Sequence, residues 1–355
     1  MKASVSQQQL AHGLSTVSRA VSPRSTLPVL SNILVATDEG RLRLSATNLE
    51  LGISCWIGAQ IAEEGSITVP ARTLTDLVAT LPNDTVTITL NARTQSLNVR
   101  CAGSSTDIKG IDAQEFPPMP VPDLEAGVDL NVANFKEMIQ QVVFAASDDD
   151  ARPVLQGVMM TVSGNEVTMA ATDGFRISVR RAALSSPAAR PMSAIIPARA
   201  LAELARIASE NQEALTMTIP PGRGQVIFNL KDAELVSQLI EGNFPDYKVI
   251  IPRTFKTRTV ISTPTLRNAC RQAEIIARES NYVVRMNIQP RADMPGLITI
   301  SATSDEKGAA EVQVDATVEG PALVIAFNVK YLREVLEVVG TPSVALETNA
   351  SNTPG

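Results

Sequence analysis

TVPARTLTDLVATL at Thr68–Leu81 returns as IIPARALAELARIA at Ile195–Ala208 and again as AFNVKYLREVLEVV at Ala326–Val339. In each copy apolar residues fall at i, i+3, i+4 and i+7: Leu74, Leu77, Val78 and Leu81, then Leu201, Leu204, Ala205 and Ala208, then Leu332, Val335, Leu336 and Val339. That spacing lays one apolar stripe along a helix. Pro70 and Pro197 fall where a helix start tolerates proline, because the first N–H groups have no helical partner. Working outward, LPVLSNILV (Leu27–Val35) is matched by RPVLQGVMM (Arg152–Met160). LSATNLELGIS (Leu44–Ser54) is matched by MAATDGFRISV (Met169–Val179) and ISATSDEKGAAEV (Ile300–Val312). Their shared threonines, Thr47, Thr172 and Thr303, stand 125 and 131 residues apart (172 − 47 and 303 − 172). The chain is a threefold internal repeat.

A second helix-like stretch opens each copy: Leu10, Leu14, Val17 and Val21, then Phe135, Met138, Ile139 and Val142, then Leu266, Ala269, Cys270 and Ala273. Between the helices lie short β-branched or alternating runs such as TVTITL (Thr85–Leu90), LTMTI (Leu215–Ile219), QVIFNL (Gln225–Leu230) and LITIS (Leu297–Ser301), bounded by turn residues. PPGRGQ at Pro220–Gln225 reads as a hairpin turn rather than a phosphate loop, since no helix pattern follows it. Each unit is therefore an α+β domain of two helices on antiparallel strands. Proline-rich joints, EFPPMPVPD (Glu115–Asp123) and NFPDYKVIIP (Asn243–Pro252), place domains at 1–124, 125–252 and 253–355.

The 355 residues are 44% hydrophobic and 19% charged, which suits folded domains and excludes a disordered or fibrous chain. With 31 Lys+Arg against 37 Asp+Glu the net charge is −6, so the surface is not uniformly basic, although a local basic stripe is compatible with it. Cys55, Cys101 and Cys270 have no CxxC spacing and read as reduced core thiols. The N-terminus has no signal-peptide pattern and no run of 18 apolar residues occurs, which points to the cytoplasm. His12 is the only histidine, and GxxxxGK[ST], HExxH, GxSxG and GxGxxG are absent, which disfavours a histidine triad, a histidine metal site and a nucleotide loop. No cofactor or metal is expected. Asp148, Asp149 and Asp150 read as a solvated acidic loop.

ATDGFR (Ala171–Arg176), LIEGNFPDY (Leu239–Tyr247) and FNVKYL (Phe327–Leu332), in this order on a threefold repeat, resemble the bacterial sliding clamps, the beta subunits of DNA polymerase III, over essentially the whole chain. The resemblance implies a non-catalytic processivity factor: three clamp domains forming half of a ring, closed head to tail as a homodimer around duplex DNA without regard to sequence. Polymerase subunits, the clamp loader and repair proteins would be its partners, and no membrane would be. Twelve helices abreast at a spacing of roughly 8–10 Å make a circumference of roughly 110 Å, leaving a hole on the order of 25 Å. Aligning the repeats puts Arg72, Arg199 and Lys330 at one position, all basic, as a candidate DNA-facing set. By resemblance, Arg24 and Arg152 join them. The same resemblance assigns a partner-peptide pocket to Leu155, Thr172, Gly174, Phe175, Arg176, Ile177, Pro245, Ile250, Asn328 and Tyr331, and a dimer contact to Thr106 and Ile108 on one side and Ile275 and Ile276 on the other. Sliding clamps continue beyond the position of Gly355, so the third domain is expected to be C-terminally truncated, with an unpaired sheet edge. Two alternatives stand beside this reading: a specialised clamp paralogue for repair or inhibitor resistance, and a hydrolase built on carboxylates such as Asp173 and Asp246. Against the hydrolase, the repeat gives Asp173 loop counterparts at Asn48 and Ser304.

Overall fold

The computed structural model describes residues 1–22, 26–208, 214–292 and 294–355. Six α-helices occur among them, two per sequence repeat: α1 (Gln7–Val17) and α2 (Ala71–Thr80), α3 (Val132–Val143) and α4 (Ala198–Ile207), α5 (Thr263–Ala277) and α6 (Val329–Val338). The caps explain the starts. Ser6 accepts from the Gln9 N–H at the head of α1, Asn131 from the Asn134 N–H at α3, and Asn328 from the Lys330 and Tyr331 N–H groups at α6. Pro70 and Pro197 stand at the helix starts, where each is both the last residue of a strand and the N-cap of the helix that follows. The predicted stripes turn inward in the opening helices, burying Leu10, Leu14 and Val17, then Phe135, Met138, Ile139 and Val142, then Leu266, Ala269, Cys270 and Ala273. In α6 the stripe is less covered: Leu336 is buried, Leu332 is half-buried and Val335 is exposed.

Two compact units form. The first comprises Met1–Ala171 and Val179–Asn243, the second Thr172–Ser178 and Phe244–Gly355. At the centre of the first is an eight-stranded sheet that runs Val128–Asn131, Ala214–Thr218, Gln225–Asn229, Ala233–Gln238, Leu51–Ile57, Arg41–Thr47, Asn32–Asp38, Ser66–Pro70. Its middle is a seam between repeats. Ala233–Gln238 of the second repeat lies antiparallel to Leu51–Ile57 of the first, with Ala233 opposite Cys55, Leu235 opposite Ile53 and Ser237 opposite Leu51. The helices cover one face, where Phe135 and Phe228 rings meet with centroids 5.9 Å apart. The first proline-rich joint packs on the other side: Phe116 joins Val29, Leu30, Leu34 and Ala36, and Met119 lies so close over Gly52 that a Cβ there would clash with it. The second unit holds the six-stranded sheet Leu323–Asn328, Val283–Gln289, Gly296–Ser304, Gly308–Glu319, Thr257–Ser262, Ser343–Thr348, packed against α5 and α6.

The hairpin expected at PPGRGQ is present, with left-handed Gly222 and Gly224 (φ 72° and 60°) turning the chain between Ala214–Thr218 and Gln225–Asn229. All three cysteines are free and buried, and burial pushes the Cys55 thiol up to about 11 and the Cys270 thiol up to about 12. Both stay protonated and inert at neutral pH.

The seam buries one carboxyl. Glu234 lies opposite Ser54, whose hydroxyl pairs with that of Ser45 at 2.8 Å. Burial pushes its pKa from 4.5 to about 7, against opposing pulls from the Asn229 side chain and the Arg43 charge. A folded value above the unfolded one means that stability is complete below the unfolded pKa and falls as pH rises through about 7. The loss is on the order of 3 kcal/mol at alkaline pH. Glu234→Gln should therefore melt higher than the parent at pH 8 and close to it at pH 5. A parent protein whose melting temperature does not fall between these pH values, relative to the variant, contradicts the assignment.

Candidate functional sites

Arg72, Arg199 and Lys330 each occupy the second position of the second helix of their repeat, α2, α4 and α6, and all three are exposed. The buried residues two places on, Leu74 and Leu201, fix the rotation that turns Arg72 and Arg199 outward. Arg152 is exposed beside the acidic loop, its Nε 2.9 Å from Asp149 Oδ2. The Ala151 N–H and the Arg152 side chain hold the Asp149 carboxyl below the usual carboxylate range. Arg24 lies outside the described residues.

The candidate peptide site centres on the loop Thr172–Ser178 of the second unit. Thr172 Oγ1 donates to the Arg176 carbonyl at 2.7 Å and accepts from the Gly174 N–H at 3.0 Å. Asp173 Oδ1 accepts from the Phe175 and Arg176 N–H groups at 2.8 and 3.0 Å. Gly174 takes φ 93°, a left-handed conformation that a side chain would strain. The same turn is built in the other repeats: Asn48 Oδ1 accepts from the Glu50 and Leu51 N–H groups at 3.0 and 2.7 Å, and Ser304 Oγ from the Glu306 and Lys307 N–H groups at 3.3 and 3.2 Å. Asp173 is thus a turn-former. Its second oxygen receives Arg176 Nε at 3.1 Å, so both oxygens are engaged in local structure.

Arg176 is the hub. Its guanidinium also donates through Nη1 to Glu334 of α6 and lies over the Tyr331 ring at 4.3 Å. Two carboxylates and an aromatic face hold one cation, with separate guanidinium nitrogens donating to Asp173 and Glu334, an arrangement that lysine could not reproduce. Asn328 is half-buried and committed to capping α6 through Lys330 and Tyr331 N–H groups. Phe175 of the loop is 80% exposed, Val249, Ile250 and Ile251 are exposed in the second joint, and Phe255 is exposed just after it. Pro245 is exposed, Ile177 half-buried and Thr172 buried. Leu155 is buried and belongs to the first unit. Asp246 caps a short 3-10 turn at Tyr247–Val249, accepting from the Lys248 N–H at 3.2 Å. Among the described residues no group of three or more His, Cys, Asp or Glu stands close enough to hold a metal.

Sequence reasoning missed Glu334 and the exposed side chains Val249, Ile251 and Phe255. A signal for Glu334 was present, because it aligns with Glu203 and Asp76 in the repeated helix.

The interface candidates separate. Thr106 is half-exposed on the edge strand Ser104–Lys109, whereas Ile108 is 4% exposed and packed into the core of its own unit. Alternation puts both side chains on the face that carries core Val99 and Leu97; Ile108, opposite Leu97, is packed into that core, while Thr106, opposite Val99, remains half-exposed. Ile275 is exposed on α5, while Ile276 packs against the core of the second unit.

Comparison with known proteins places three matches along the chain. Family models of the DNA polymerase III beta subunit match residues 1–120 (N-terminal domain), 129–246 (central domain) and 248–355 (C-terminal domain). A beta sliding clamp of Synechococcus elongatus is 32% identical over 358 residues, covering 100% of this chain and 94% of the relative, and one of Bacillus subtilis is 32% identical over 350 residues, covering 96% and 90%. Among solved structures, the DNA polymerase sliding clamp of Bacillus subtilis superposes with TM-score 0.93 at 29% identity, covering 99% of this chain and 94% of that one. A Pseudomonas aeruginosa sliding clamp bound to griselimycin does so with TM-score 0.92 at 30% identity, with the same coverage.

Proposed function

The chain belongs to the DNA polymerase III beta-subunit family, and on that premise we propose that it is a processivity clamp, a scaffold without chemistry of its own. Two copies close head to tail into a ring around duplex DNA, and replication and repair proteins dock on the Arg176–Tyr331 site through short peptides. The domains divide near residues 124 and 252, and the protein works in the cytoplasm, beside the chromosome.

The observation that carries the ring is the seam of the eight-stranded sheet. There the last strand of one repeat, Ala233–Gln238, pairs with Leu51–Ile57 of the preceding repeat. The first repeat has the same last strand at Ser104–Lys109, on a sheet edge, and the third repeat has the same acceptor strand at the start of Gly308–Glu319. Register can be carried across. Cys101 faces Ser104 as Leu230 faces Ala233, and Thr303 faces Ala309 as Thr47 faces Gly52. Applying the seam to a second copy sets Ser104 opposite Val312 and Thr106 opposite Ala310. Ile275 supports the same contact, because repeat alignment puts it in the place of Arg19, which bridges to the second repeat through Glu203 at 3.2 Å. The contact is heterologous and closes after two subunits.

Sequence-blind sliding needs phosphate contacts that are individually weak, while linkage through the ring holds the duplex at any salt. Arg72, Arg199 and Lys330 supply such contacts from repeated positions. Reversing all three to Glu should lower apparent DNA affinity at low salt by about tenfold or more and flatten its salt dependence by roughly one unit of slope per lost phosphate contact. Unchanged binding at low ionic strength would remove these residues from the DNA-facing surface.

A further inference from the structure

One position of the repeated second helix carries an acid in every copy: Asp76, Glu203 and Glu334. Two of the three are bound by an arginine from the preceding repeat of the sequence. Glu203 receives Arg19 at 3.2 Å and is 11% exposed. Glu334 receives Arg176 and is 23% exposed. Asp76 differs. Among the described residues it pairs within its own helix, with Arg72 at 3.5 Å, and stands 71% exposed.

In a head-to-tail ring the repeat that precedes the first is the third repeat of the second copy. There the opening helix α5 ends in the 3-10 turn Arg278–Ser280, as α1 ends in the 3-10 turn Ser18–Ala20 that carries Arg19. Arg278 opens that turn, one helical turn beyond exposed Ile275, which aligns with Arg19 itself. Arg278 is 62% exposed, held only loosely to Glu274 at 3.8 Å, so it has donors to offer. We propose that Asp76 of one copy is the docking point for Arg278 of the other, a third instance of the acid–arginine latch that otherwise links consecutive repeats. The latch would fix α2 of one copy against the end of α5 of its partner, beside the strand pairing of Ser104–Lys109 with Gly308–Glu319.

This inference rests on the ring reading, and the experiment keeps the two apart. Sedimentation of the full chain at low ionic strength measures dimerisation for the parent, Asp76→Arg, Arg278→Asp, Lys307→Glu, and the double variants Asp76→Arg/Arg278→Asp and Asp76→Arg/Lys307→Glu. Lys307 enters because its turn position matches that of Arg176. Each single reversal at Asp76 or Arg278 places like charges at both interfaces of the ring and should raise the dimer Kd about tenfold, with the difference shrinking as salt is added. The Asp76→Arg/Arg278→Asp variant should return to within about threefold of the parent. A parent that dimerises but shows no response to the single reversals, or an Asp76→Arg/Arg278→Asp variant no better than either single, overturns the latch and leaves the ring standing. If Lys307→Glu rather than Arg278→Asp compensates Asp76→Arg, the partner is wrongly assigned. A parent that never dimerises removes both proposals.

Discussion

Arg176→Ala should weaken binding of a labelled peptide carrying Leu and Phe anchors by roughly thirtyfold, about 2 kcal/mol, the scale of a central anchor residue at an interface. Three losses combine. The cation over the Tyr331 ring disappears, the tie between the Thr172–Ser178 loop and α6 is cut, and the Asp173 and Glu334 carboxylates are left facing each other without a counter-charge. Arg176→Lys should recover little, since an ammonium cannot hold two carboxylates and stack at once. Tyr331→Ala should cost five- to thirtyfold, about 1–2 kcal/mol, while Tyr331→Phe keeps the ring face and should bind nearly as the parent does. Equal affinity of the parent and Arg176→Ala would show that peptides dock elsewhere.

The other large effect is expected at the edge strand. The Gly110 N–H donates to the Gln95 carbonyl at 2.8 Å, which sets the phase of the Ser96–Cys101 and Ser104–Lys109 pairing. In that phase the N–H groups of Ser104, Thr106 and Ile108 point to the neighbouring strand, and those of Ser105 and Asp107 point to the open edge. Ser105→Pro therefore keeps the intrachain ladder while deleting a donor at the proposed copy-to-copy contact and placing a ring in its path. With the defect at both interfaces, dimerisation should fall by on the order of a hundredfold. Sedimentation across a concentration series measures this, and thermal melting separates it from unfolding. A dimer of parental strength would move the contact off this edge.

How much of this was readable beforehand depends on whether the signal was local. Helix faces follow from spacing alone, so Leu10, Phe135 and Leu266 lie where their periodicity places them. The Asp173 turn was legible by repetition, since Asn48 and Ser304 are hydrogen-bonding residues that make the same bonds to N–H groups two and three places on. The depth of Ile108 was not readable beforehand, because resemblance transfers a position but not how tightly it is packed. Opposition to Leu97 packs Ile108 into the core of its own unit. Glu334 needed tertiary information, because the arginine it meets lies 158 residues earlier in the chain. Glu234 was invisible for a similar reason: nothing in KDAELVSQ says that another repeat's strand will bury it. The helix starts at Pro70 and Pro197 were legible, whereas the strand that runs directly into each helix, leaving the proline to serve both elements, was not.

The central claim is a closed ring of two copies, and direct imaging of the purified chain by electron microscopy, at a concentration where sedimentation reports dimers, tests it most directly. The account predicts a particle with a two-fold axis and a central hole on the order of 25 Å, enough for a duplex and a layer of water. A dimer without a hole, or two copies joined by like surfaces rather than head to tail, would contradict it.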